Sequence, residues 1–163
     1  MARVWGFEFN RVIDTPVINL IINSPSIKFG NLSNKMSEST LKIAQQAFTA
    51  FAEGWMTSNF QTFLEMLTDE FTFWYPYGKY RGKFIGREGK AQMIAKCRDH
   101  SEAVDQLTFS SPHHITSSDT TVMFEFECEG IIGGESYHGR LAIALDVSND
   151  KISGFREYFG DVD

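Results

Sequence analysis

Cysteine is scarce in this sequence and carries no pattern. Cys97 and Cys128 are the only two among 163 residues, spaced as no metal site requires and too few for a disulfide framework, so a reducing, cytoplasmic setting is expected. Long apolar runs are also missing: nothing approaches the roughly 18 consecutive residues of a membrane helix. Val17 to Ile22 is too short for a signal peptide and follows Glu8 and Asp14, not a basic stretch. Basic charge is in deficit, with 15 Lys and Arg against 21 Asp and Glu and a net charge of −6, which argues against nucleic acid or an anionic membrane as the main partner. There is no phosphate-binding glycine loop, no dinucleotide fingerprint, no H-E-x-x-H and no G-x-S-x-G elbow. Nucleotide, flavin, zinc and serine-nucleophile chemistry therefore have no starting motif, and neither a cofactor nor a metal is expected.

Aromatic residues are abundant. Fifteen Phe, five Tyr and three Trp make up 14% of the chain, enough rigid bulk to fill a core and line a cavity. The length suits one domain. Residues 1–35 are broken by Asn10, Asn19, Asn23, Asn31, Asn34, Pro16 and Pro25 and are read as a loosely attached leader, with a single domain over 36–163.

From Leu41 the apolar positions Ala44, Phe48, Phe51, Ala52 and Trp55 keep a three-four spacing, the mark of an amphipathic helix. Ser58-Asn59 caps a second, shorter one carrying Phe60, Phe63, Leu64 and Leu67. Phe71 to Tyr75 alternates as a strand and stops at Pro76, and Gly86 to Arg98 reads as a third helix with Met93, Ile94 and Cys97 on one side. The remainder is strand. Leu107, Phe109 and Ile115 share a parity that would carry Ser111 and His113 inward. Val122, Phe124, Phe126 and Cys128 alternate against polar neighbours before Gly133-Gly134, a hairpin signal. A turn there sets Phe126 opposite Leu141, Phe124 opposite Ile143, Val122 opposite Leu145, Glu127 opposite Arg140 and Glu129 opposite His138. One face becomes apolar and the other charge-complementary.

The last strand, Ile152 to Phe159, has two possible parities. A two-residue turn at Ser148-Asn149-Asp150 would send Gly154, Arg156 and Tyr158 inward; a three-residue loop would send Phe155, Glu157 and Phe159 inward, which the two phenylalanines favour. The element order implies an α+β fold: three helices on the concave face of a strongly curved antiparallel sheet, leaving an open cone.

Several strings resemble the NTF2-like superfamily, its SnoaL-like branch in particular: Phe51-Ala52-Glu53-Gly54-Trp55 with Asn59-Phe60, Gly86-Arg87-Glu88-Gly89, and Lys151 to Phe159. The resemblance covers roughly 40–160. It implies the cone fold and a pocket for a small hydrophobic molecule, with relatives among isomerases, cyclases, dehydratases, epoxide hydrolases and silent binding modules. The acids of a ketosteroid isomerase are missing: Tyr75 stands before Pro76 where that family has its Asp base, Phe51 takes the place of the oxyanion-hole tyrosine, and Ala142 to Ala144 hold no acid.

Tyr75, His113 and Glu157 are the candidate catalytic residues, Tyr75 as hydrogen-bond donor and the others as acid or base. Glu157 among aromatic side chains should have a raised pKa. The expected pocket lining is Phe51, Trp55 and Phe73; Phe109, Ser111, Phe124 and Phe126; and Leu141, Ile143, Phe155 and Phe159. Two functions are open: a cofactor-independent acid-base enzyme for a hydrophobic oxygenated ligand, or a non-catalytic module binding an apolar ligand or a protein. A homodimer through the outer sheet face, bearing Trp74 and Met123, is expected in either case.

Overall fold

The computed structural model describes residues 29–160, with side chains from residue 38 onward. Three helices and seven strands follow in order: α1 (Phe29–Thr57), α2 (Gln61–Glu65), β1 (Leu67–Tyr75), β2 (Gly82–Phe84), α3 (Arg87–Ala103), β3 (Gln106–Phe109), β4 (His114–Ser117), β5 (Thr121–Ile132), β6 (Glu135–Ser148) and β7 (Lys151–Gly160). The strands form one sheet in the order β2-β1-β7-β6-β5-β3, with β4 also on β5. All pairs are antiparallel except β1 with β7. The helices cover the concave face, α1 against β3 and β5 to β7, and α3 against β1.

Most of the expected leader lies outside the described residues. Its last part does not: α1 begins at Phe29, so the division expected at residue 36 falls inside a helix. Asn and Ser cost only about a few tenths of a kcal/mol each in a helix interior relative to Ala, and the packed half of α1 offsets that. Phe48, Phe51 and Trp55 are buried as the spacing predicts; the N-cap of α2 is Phe60, not Ser58 or Asn59, although the Asn59 side chain accepts a hydrogen bond from the Gln61 amide at 3.1 Å just before the helix. Leu67 belongs to β1, not to the second helix.

The hairpin register holds at every pair given above. Gly133 and Gly134 take φ of 60° and 83°, values that L side chains disfavour and a tight hairpin turn requires. β7 is reached by a two-residue turn, Ser148 pairing with Lys151, with Asn149 and Asp150 both at positive φ. That turn alone would send Arg156 inward. A bulge reverses it: Val147 pairs with Ile152 but Asp146 with Gly154, leaving Ser153 without a partner. The extra residue flips every later side chain. Phe155 and Glu157 are buried, and Arg156 lies on the outer face, where its guanidinium donates to both carboxylate oxygens of Asp146.

The expected single strand through Leu107 and Ile115 is two strands. Ser110 to His113 leave the ladder between β3 and β4, so the inward parity does not carry across. Ser111 and His113 are exposed, and Ile115 is 41% exposed. The cone itself is filled by rings. Phe51 lies 4.9 Å from Phe63 and 5.2 Å from Phe155, Phe48 lies 4.6 Å from Phe124, and Phe109 lies 4.6 Å from Phe126. Burying each such side chain contributes roughly 1.5–3 kcal/mol.

Candidate active site

β7, β1 and α3 bring together three polar side chains. The bulge in β7 turns Glu157 inward, where it is 4% exposed and its Oε2 has no hydrogen-bond partner among the described residues. Tyr75, the last residue of β1, stacks on Phe73 at 5.9 Å and meets Phe159 edge-on at 5.8 Å. Lys96 of α3 is 1% exposed, and its Nζ stands 4.0 Å from Glu157 Oε2, just beyond hydrogen-bond range. The rings of Tyr75, Trp55 and Phe51 surround that Nζ, with centroids at 4.7, 5.0 and 5.8 Å. Ring faces attract a desolvated cation, so the cage supplies what water no longer can.

Burial pushes the Glu157 carboxyl above its usual range, and the nearby Lys96 charge works against that. Burial also raises the Tyr75 hydroxyl, and the Glu157 charge raises it further, so Tyr75 holds its proton. Tyr137 on β6 and Cys128 on β5 are close enough to be influenced by Glu157; burial is the larger cause that pushes each to about 12. Both thiols, Cys97 and Cys128, are buried and unpaired.

One helical turn beyond Lys96, His100 packs its ring 4.3 Å from that of Trp55. Its Nδ1 lies 2.8 Å from Asp105 Oδ2, and Asp105 Oδ1 accepts from the Gly133 amide at 2.8 Å. Burial is the largest cause lowering the His100 pKa, the Lys96 charge adds to it, and Asp105 opposes both.

Of the three expected catalytic residues the structure unites Tyr75 and Glu157. His113 is elsewhere, its side chain 58% exposed on the outer face, 3.8 Å from Glu127. Ser111 is likewise no lining residue, and Phe159, 42% exposed, sits at the rim. Phe51, Trp55, Phe73, Phe124, Phe126, Leu141, Ile143 and Phe155 are all buried, and Phe109 packs against them as core. Two hollows lie elsewhere: one of about 280 Å³ is lined by Asp69, Arg87, Lys90, Ala91 and Ile94, and one of about 480 Å³ by Thr108, Glu129, Gly130, Ser136, Tyr137 and His138. Lys96 was not among the expected residues, yet it had a signal: it occupies the row Gly89, Met93, Lys96, Cys97 that α3 buries. Ile94, assigned to that row by sequence, is 41% exposed.

The family of SnoaL-like domains matches residues 48–155. The chain belongs to this family. The SnoaL-like match takes in Tyr75 and Lys96 and ends two residues before Glu157. An NTF2-like protein from Anabaena variabilis is 42% identical, over 77% of this chain and 92% of that one, with a TM-score of 0.71. Bal32a, from a soil-derived mobile gene cassette, is 19% identical over 77% and 92% at a TM-score of 0.61. An LEH-like epoxide hydrolase of M. tuberculosis is 20% identical over 73% and 84% at 0.54. The last two share the fold. No curated protein matches this SnoaL-like chain, and no described helix is long and apolar enough to cross a membrane.

Proposed function

We propose that this protein is a cofactor-independent enzyme that moves a proton on a small, hydrophobic, oxygenated molecule, in a reaction of isomerase, cyclase or dehydratase type. One observation carries this reading: Glu157 Oε2 is buried without a hydrogen-bond partner among the described residues, 4.0 Å from the Lys96 Nζ. A ligand oxygen at hydrogen-bond distance of about 2.8 Å from both atoms closes that gap at an angle near a right angle. Lys96 then stabilises developing negative charge on the oxygen, Glu157 gives or takes the proton, and Tyr75 donates a second hydrogen bond. The surrounding rings exclude water and accept the ligand's apolar body. A ligand reaches the pair past the exposed ring of Phe159 at the rim. A protein of the same fold is an LEH-like epoxide hydrolase.

The test is turnover of a panel of hydrophobic ketones, enones and epoxides. Glu157→Gln should keep ligand binding within a few-fold, read by Trp fluorescence, while turnover falls roughly 100-fold. The filled cone favours a second reading, a non-catalytic module that opens for an apolar ligand or protein. Binding without turnover in the wild type, or turnover unchanged in the variant, decides for that reading.

The outer sheet face suits a second copy of the chain. Trp74 and Tyr158 pack there with tilted rings at 4.9 Å, beside Glu127 with Arg140 and Asp146 with Arg156, a mixture of signs able to complement itself. Light scattering at tens of micromolar should give a dimer mass; a monomer mass removes this proposal. The two unpaired thiols agree with a cytoplasmic location.

A further inference from the structure

Lys96 is unlike the exposed lysines. Lys79 is 69% exposed in its side chain, whereas Lys96 is the one buried lysine among the described residues. An amine withdrawn from water, beside a carboxyl group able to exchange its proton, is arranged as a nucleophile toward carbonyl carbon. The three rings that face the ammonium would face an iminium cation at the same position equally well. Their exclusion of water protects such an adduct from hydrolysis.

From this geometry we propose that Lys96 forms a Schiff base with a hydrophobic aldehyde or ketone, with Glu157 as its proton shuttle. The step balances. Glu157 as carboxylate takes a proton from the Lys96 ammonium, and the freed lone pair forms a C–N bond to the carbonyl carbon. The C=O π electrons move to oxygen, which takes the proton from Glu157. Glu157 then removes a proton from nitrogen and returns it to the hydroxyl, which leaves as water as the nitrogen lone pair forms C=N. An ammonium and a carbonyl become an iminium and water, and Glu157 ends as it began. The iminium acidifies the adjacent C–H bonds, which connects the adduct to isomerase or cyclase chemistry. This inference deepens the acid-base reading and rests on it.

The experiment exposes the full chain to cinnamaldehyde with sodium cyanoborohydride near neutral pH and maps the reduced adducts by mass spectrometry. Lys96 should be modified before Lys79 and Lys151, and adduct formation there should fall at least tenfold in Glu157→Gln. Lys96→Arg should retain the melting temperature within a few degrees and lose the adduct. Should Lys96→Arg fail to fold, the order of modification in the wild type decides alone. Modification of surface lysines with Lys96 untouched overturns the proposal. If Lys96→Arg still turns over a ketone or epoxide that Glu157→Gln does not, the Schiff base falls and non-covalent acid-base chemistry stands; if neither variant alters turnover, both readings fall.

Discussion

His100 Nδ1 and Asp105 Oδ2 are 2.8 Å apart at the end of α3, and the same carboxylate holds the β5–β6 turn through the Gly133 amide. Asp105 is 6% exposed, so its loss leaves buried donors short of an acceptor. Asp105→Asn is expected to cost about 1–3 kcal/mol, or roughly 2–12 °C in melting temperature. Asp105 raises the His100 pKa against burial and Lys96. The variant should therefore move the His100 titration still lower, followed by NMR of the imidazole protons; an upward shift would contradict the arrangement.

Glu157 provides a pH signature. Its folded-state pKa is raised by burial, so the folded protein holds this proton more tightly than the unfolded chain does. The stability linked to it is complete below the unfolded value and is lost as pH rises through the folded value. Wild type and Glu157→Gln should differ least near pH 4, and the variant should gain relative to wild type as pH rises toward 8. Melting curves of both proteins across that range check the sign.

α3 packs on β1 through Gly89, where a Cβ would lie 2.1 Å from the Phe71 carbonyl oxygen and 2.8 Å from that of Phe84. Backbone atoms cannot swing aside as a side chain can. Gly89→Ala should cost about 1–3 kcal/mol despite the better helix propensity of Ala, and it should displace Lys96 from Glu157. Thermal melting measures the first effect. The second appears as loss of the Lys96 adduct with cinnamaldehyde.

Several features were legible because they depend on neighbours in sequence. The period of Phe48, Phe51 and Trp55 sets one face of α1. The two glycines at 133 and 134 fix where the hairpin turns, and a fixed turn determines every pair between β5 and β6. Alternation on both sides of that turn then decides which face is apolar, and together with the element order this is sufficient for the fold class.

The site needed the tertiary structure. Glu157 does face inward, but for a reason no local pattern states: the tight turn at Asn149-Asp150 gives the opposite parity, and the bulge at Ser153 restores it. A bulge forms where two strands, each held by its own packing, differ by one residue, and such a mismatch exists only once both are placed. His113 failed for the converse reason, since the break between β3 and β4 ends the alternation that would have carried it inward. The sequence by itself determined the buried face of α1, the hairpin register and the apolar inner surface of β5 and β6, because side-chain period and turn chemistry act over a few residues. Only the tertiary structure decided that Lys96 is buried against Glu157, because that pairing depends on how α3 seats on β1 and on one unpaired residue in β7.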